Sequence, residues 1–189
     1  AVYAYDQRGF GTGPHPGWWS STEAVADDLR TAARLLAGRH PGVPLYLLGE
    51  SMGGAVAIEA TAHRPPPEVR GVILSAPAVW GRATMPWYQR AALWLAYQVA
   101  PGWRLSGKGL GIQASDNIPM LIALGKDPLF IKETRVDAVK GLVDLMDAAQ
   151  ADAGSVALPL LLLYGAHDEV IPAEPTWRAV AALPGLGRH

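Results

Sequence analysis

Gly49-Glu50-Ser51-Met52-Gly53-Gly54 stands between the apolar run Leu45-Tyr46-Leu47-Leu48 and the small-residue run Ala55-Val56-Ala57-Ile58-Glu59-Ala60. The apolar run is too short for a helix and reads as a parallel strand buried on both faces. The segment from Met52 to His63 reads as a helix that Pro65-Pro66-Pro67 closes. Strand, G-x-S-x-G, helix is the order of elements that lifts a serine hydroxyl onto a sharp, strained turn. Glycines flank such a turn where a side chain would collide with the neighbouring strand or helix. Ser51 is then the candidate nucleophile, and the backbone N–H of Met52, next in the chain, is the candidate donor to a developing oxyanion. The plainer reading is an ordinary strand-to-helix turn with Ser51 as its cap. The rest of the chain has to supply the partners that separate the two.

Working outward, Val2 to Asp6 alternates apolar and aromatic residues and predicts a short strand before the glycine-rich turn Arg8-Gly9-Phe10-Gly11-Thr12-Gly13-Pro14. Ser20 with Glu23 three residues on reads as a capping box. Val25, Leu29, Ala32, Ala33 and Leu36 then recur at helical spacing until Pro41-Gly42. Val69 to Leu74 and Leu160 to Tyr164 are further short apolar strands, and Pro175 to Leu183 predicts a last helix with proline near its start. Strands alternating with helices imply an α/β fold, a mainly parallel sheet with helices on both faces. The expected core is 1–79 with 157–189, and 80–156 is expected to be a helical cap insertion. Within it, helices are predicted over Gln89 to Val99, Asn117 to Leu124 and Asp137 to Ala151.

Composition excludes several classes. Half of the 189 residues are apolar and 17% are charged, which suits a folded core rather than a disordered chain. A formal net charge of −1 gives no bulk attraction to nucleic acid or to an anionic surface. The absence of Cys removes disulfides, thiolate metal sites and a cysteine nucleophile. Gly9-Phe10-Gly11-Thr12-Gly13 lacks dinucleotide or P-loop spacing, and no histidine–carboxylate group has metal-ligand spacing. No cofactor and no metal are expected. No apolar run is long enough to span a bilayer, and the first residues do not read as a signal peptide. The expected location is cytoplasmic or peripheral to a membrane.

A serine nucleophile needs a base, and the base needs an orienting carboxylate. Tyr164-Gly165-Ala166-His167-Asp168-Glu169-Val170-Ile171-Pro172 follows the last buried strand, on the sheet edge where Ser51 would lie. Asp168 is the candidate acid, in the order Ser before Asp, with Glu169 as the alternative. The histidine of that order is not found. His15, His40 and His63 fall in a loop or near helix ends, His167 adjoins the acid and points away from it, and His189 lies at the end. The chain opens on a strand and stops just after a helix, so it reads as a fragment whose base lies beyond residue 189.

The insertion begins with unusually many aromatic residues: Trp80, Trp87, Tyr88, Trp94, Tyr97 and Trp103. They suit an apolar substrate or a membrane interface, or equally the underside of a lid packed on the core. Arg82, Arg90, Arg104 and Lys108 accompany them, as aids to a lipid surface or as a solvated face.

Together these residues resemble the α/β-hydrolase fold, and within it the monoacylglycerol lipase and lysophospholipase-like serine hydrolases. Tyr5-Asp6-Gln7-Arg8-Gly9-Phe10-Gly11 is similar to the family's D-x-R-G-x-G turn, Gly49 to Gly54 to its G-x-S-M-G-G elbow, and Leu74-Ser75-Ala76-Pro77 to the strand end before its cap. Gly165 to Pro172 is similar to its G-x-x-D-x-x-x-P acid loop. The resemblance implies hydrolysis of a small-molecule acyl ester through an acyl-enzyme on Ser51, with Asp168 as triad acid, Met52 as oxyanion donor and 80–156 as the mobile cap. The family's early strands, its oxyanion loop and its histidine are missing, so this stretch alone is expected to be inactive. Two alternatives stay open. One is a non-catalytic binding protein of the same fold. The other is an aminopeptidase, amidase or haloperoxidase on it.

Overall fold

The computed structural model describes residues 1–107 and 115–184. Lys108 and His189 lie outside them.

Three apolar runs form the sheet. β1 (Leu45–Glu50), β2 (Val69–Ser75) and β5 (Leu160–Leu163) are all parallel, in the order β1-β2-β5. Leu48 is level with Ile73 and Ile73 with Leu161, while Glu50 is level with Ser75 and Ser75 with Leu163. All three strands therefore end on one rim. α1 (Thr22–Arg39) precedes β1, α2 (Met52–Ala62) joins β1 to β2, α3 (Trp87–Val99), α4 (Ile118–Lys126) and α5 (Val136–Asp152) lie between β2 and β5, and α6 (Ala173–Ala182) follows β5. A short 3-10 turn, Ala153–Ser155, follows α5.

The core lies on one side of the sheet. α2 covers the side bearing Leu47, Val72 and Leu74, and α1 and α5 pack against α2. Val56 and Ile58 of α2, buried at 0% and 1% exposure, each contribute about 1.5–3 kcal/mol. The strands predicted to be buried on both faces are buried on this one. On the other, Tyr46, Leu48, Leu161 and Leu163 stay between 49% and 69% exposed, because no described helix crosses them.

The expected strand Val2–Asp6 does not form. A strand exists through ladder bonds to a neighbour, and among the described residues none pairs with this segment. Side chains hold it instead. The Tyr3 hydroxyl lies 2.5 Å from His40 Nε2. The Asp6 carboxylate accepts from the Thr12 N–H and hydroxyl, each at 3.0 Å, which lowers its pKa. α1 is capped by Ser21 rather than Ser20, its hydroxyl oxygen accepting from the Ala24 N–H. Glu23 turns outward to pair with Arg64.

The segment 80–156 contains the three predicted helices, each shifted by a residue or two at its ends, and one element sequence reasoning missed. β3 (Arg104–Ser106) and β4 (Glu133–Arg135) pair antiparallel, with Arg104 opposite Arg135 and Ser106 opposite Glu133. The two halves of the segment behave differently. α5 sinks Val143, Leu145, Met146 and Ala149 into the same cluster as α2. α3 and α4 bury no residue, leaving Trp87 at 77% and Trp94 at 64% exposure. No helix among the described residues is long and apolar enough to cross a membrane.

A partly buried acid sits where α2 meets the end of α5. Glu59 Oε1 is buried without a hydrogen-bond partner, and His63 Nε2 pairs with Asp152 Oδ1 at 3.1 Å beside it. Burial first, then the Asp152 charge, pushes the Glu59 carboxyl up to about 7. A carboxyl raised in the folded state binds more protons there than in the unfolded chain, so stability falls as pH rises from about 4.5 to about 7. Half-exposure discounts the effect to about 1–2 kcal/mol. Glu59→Gln should therefore raise stability at pH 8 by about that amount and leave it unchanged at pH 4. Urea unfolding at the two pH values reads this directly, and equal shifts at both would assign the effect to packing instead.

Candidate functional site

The site grows from the turn between β1 and α2. Ser51 adopts φ 50° and ψ −116°, in the left-handed region that favours glycine. A serine there costs on the order of 1–3 kcal/mol and persists only where its surroundings over-determine it. They do so here. The Ser51 N–H donates to the Ser75 carbonyl at 2.9 Å, and the Ser51 carbonyl accepts from Gly54 at 2.9 Å and Ala78 at 2.8 Å. The neighbouring Ala76 is itself at φ 40°, its N–H donating to the Leu163 carbonyl at 2.8 Å. The turn after β2 thus ties the elbow to β5 as well. Ser51 makes no side-chain capping bond and is exposed, unlike the capping serine of the plainer reading.

The glycines divide by what surrounds them. A Cβ on Gly49 would lie 2.3 Å from the Gly53 carbonyl oxygen and 2.7 Å from Gly54 Cα. On Gly54 it would lie 2.7 Å from Pro77 Cβ, whereas on Gly53 it would meet nothing within 4 Å. The close packing of strand, elbow and helix therefore requires Gly49 and Gly54. Gly53, the second glycine of the sequence motif, leaves space in front of the turn. Met52 opens α2, so its N–H has no intrahelical acceptor and is available at the helix N-terminus.

Asp168 lies five residues past the end of β5, in a turn whose Asp168 N–H donates to the Gly165 carbonyl at 3.2 Å. Its Oδ1 accepts from the Val170 N–H at 2.8 Å and the Ile171 N–H at 2.9 Å. Oδ2 carries no bond to any described residue. The Tyr164 hydroxyl donates to the Ile171 carbonyl at 2.7 Å, and its ring meets Trp177 edge-on, so the loop is closed by a clamp. Burial first, and Asp168 second, raises the Tyr164 pKa, which keeps that hydroxyl a donor. Sequence reasoning missed this clamp and the Ser75 and Ala78 anchors. Tyr164, ending the run Leu160 to Tyr164, was the visible signal for the clamp, and Leu74-Ser75-Ala76-Pro77 marked only the strand end that carries the Ser75 anchor.

Ser51 and Asp168 thus follow parallel strands that end on one rim, with β2 between them. Two strand spacings put their strands roughly 10 Å apart. The histidines lie elsewhere. His63 caps the far end of α2, about 18 Å along the helix from Ser51. His40 caps α1 against Tyr3, His15 sits in a loop with its ring toward Trp18, and His167 is exposed beside Asp168.

Comparison with known proteins bears on the family and the fold. The family described as serine aminopeptidase, S33, matches residues 1–187. A monoacylglycerol lipase of Mycolicibacterium smegmatis is 29% identical over 174 residues, covering 90% of this chain and 61% of its own length. Phospholipase YtpA of Bacillus subtilis is 29% identical over 135 residues, 68% of this chain and 50% of its own. The crystal structure of Paleococcus ferrophilus monoacylglycerol lipase superimposes with a TM-score of 0.76 at 27% identity, covering 97% of this chain and 69% of that one. The architecture is the α/β-hydrolase fold of the monoacylglycerol lipase-like proteins. The chain spans only 50% to 61% of the length of these two curated relatives.

Proposed function

The chain belongs to the serine aminopeptidase S33 family of hydrolases, and from that premise we propose that it is the nucleophile-and-acid portion of a serine hydrolase of lipid carboxylic esters, monoacylglycerols or lysophospholipids. The observation that carries the reading is the left-handed serine of the elbow, held against strain by Ser75, Gly54 and Ala78 and open to solvent. Ser51 Oγ attacks the acyl carbon while its proton passes to an imidazole oriented by Asp168 Oδ2. The oxyanion forms in front of the Met52 N–H. Collapse breaks the ester C–O bond, and the imidazole returns its proton to the departing alcohol. Water then attacks the acyl-serine through the same imidazole and releases the fatty acid. Among the described residues no histidine stands near Ser51 and Asp168, so the proposal requires an imidazole, together with a second oxyanion donor, from outside them.

Two features support a lipid substrate. The names of the relatives point to monoacylglycerol and phospholipid esters. The segment 80–156, taken as the cap, presents Trp87, Tyr88 and Trp94 to solvent on a helix with Arg90 and no acidic residue, a surface suited to peripheral contact with a bilayer. A cytoplasmic location belongs to the same proposal. The family description favours a second reading, peptide-bond hydrolysis from the same elbow. A fluorophosphonate probe on the longer protein should label Ser51 and leave Ser51→Ala unlabelled. Absence of label sinks both readings. Turnover of an aminoacyl anilide above a monoacylglycerol decides for the second.

A further inference from the structure

A cleft of about 470 Å³ lies between the glycine-rich turn and the β3–β4 ribbon, and Ser51 is not among its lining residues. Gly11, Pro16 and Gly17 line it on one side, Arg104, Ser106, Lys132 and Glu133 on the other, and Leu129 and Phe130 stand at half exposure within it. Its charges are unusual for a surface ribbon. Arg104 lies directly opposite Arg135, an arrangement that ordinarily repels. Arg135 is already satisfied, pairing with Asp137 at 2.5 Å and resting 4.1 Å over the Trp18 ring. Arg104 and Lys132 make no ion pair or hydrogen bond with any described residue, and neither does Glu133 between them. The Arg104 guanidinium reaches the cleft wall at Gly17, where a Cβ would come within 3.8 Å of it. Two uncompensated cations, one carboxylate and two exposed apolar side chains thus share one open cleft.

We infer that this cleft takes the phosphate of an anionic phospholipid headgroup at a bilayer surface, with Arg104 and Lys132 on the phosphate oxygens and Leu129 and Phe130 against the first methylenes of the acyl chains. Arginine's fork suits a phosphate. The apolar lip is what selects a lipid over a soluble phosphate ester, since a free ion has nothing to place against Leu129 and Phe130. Glu133 sets the affinity by opposing the ligand's charge. The inference takes its ligand class from the lipid reading above, but binding is measured without turnover and does not depend on Ser51.

The test is vesicle flotation of the full chain with phosphatidylcholine vesicles, and with the same vesicles containing 30 mol% phosphatidylglycerol, at ~0.1 M salt. Phosphatidylglycerol should raise binding. Each cation near an anionic surface is worth about five-fold, so the Arg104→Gln/Lys132→Gln double variant should lose about 25-fold of that gain and none of the binding to phosphatidylcholine. Glu133→Gln, which cannot act by loss of a contact, should strengthen phosphatidylglycerol binding about three-fold. Circular dichroism checks that the variants keep their fold. An unchanged phosphatidylglycerol gain in the double variant, or no gain in Glu133→Gln, overturns the assignment. Displacement by millimolar glycerol 1-phosphate, with no preference for vesicles, overturns the lipid source and leaves a soluble phosphate site. Loss of binding to both vesicle types in the wild type removes the lipid-surface reading on which the inference rests.

Discussion

Gly49→Ala should destabilise the protein by more than about 3 kcal/mol and leave little folded chain at 37 °C. The added methyl would meet the Gly53 carbonyl oxygen at 2.3 Å, the Gly53 carbonyl carbon at 2.6 Å and Gly54 Cα at 2.7 Å. All three atoms are backbone, so no side chain can rotate away. Overpacking that moves only side chains costs typically 1–3 kcal/mol. Here relief requires moving α2 off β1, and α2 carries Val56, Ile58 and the contacts with α1 and α5. Gly54→Ala, aimed at Pro77, should behave similarly. Gly53→Ala is the control. Nothing lies within 4 Å of its Cβ position, and alanine in place of glycine in a helix is worth up to about 1 kcal/mol in its favour. Thermal unfolding of the three variants should place Gly53→Ala at or slightly above the parent and the other two far below it. Three equal transitions would mean that the turn is not held by close packing of strand on helix.

What the sequence revealed and what it concealed follow from the range of the forces involved. The elbow was legible because its requirements are local: a buried run, a glycine, a serine, and a small-residue helix within a dozen positions. The same holds for Asp168, whose turn is built from its own neighbours Gly165, Val170 and Ile171. Val2–Asp6 misled because alternation describes a strand's fitness for a sheet, and membership depends on a neighbour the segment does not find among the described residues. The β3–β4 ribbon was missed for the converse reason. Arg104-Leu105-Ser106 and Glu133-Thr134-Arg135 are three residues each, too short for any period, and they pair across 26 intervening residues. The two faces of the sheet could not be told apart either. Leu47 and Leu48 are equally apolar, and only the side on which α2 returns decides that Leu47 is buried and Leu48 exposed. Glu59 read as one more polar residue on a helix, and its burial comes from α5, some ninety residues later.

Asp168→Asn should lower kcat of the longer protein by about 10⁴ with little change in KM or stability. The loop survives the substitution because an asparagine Oδ1 still accepts from Val170 and Ile171, the two bonds that shape the turn. What changes is Oδ2, the atom with no described partner, which becomes an amide donor. An imidazole facing a donor presents the wrong tautomer to Ser51 and loses the charge that stabilises its protonated form. Fluorophosphonate labelling of Ser51 should slow in parallel, since it too requires the base. Glu169→Gln separates the two neighbouring acids. Its side chain is exposed, so the rate should stay within about two-fold of the parent, the range of an exposed charge. If Asp168→Asn retains full kcat while Glu169→Gln loses it, the acid is Glu169. If neither matters, the strained elbow at Ser51 is a relic and the fold serves binding alone.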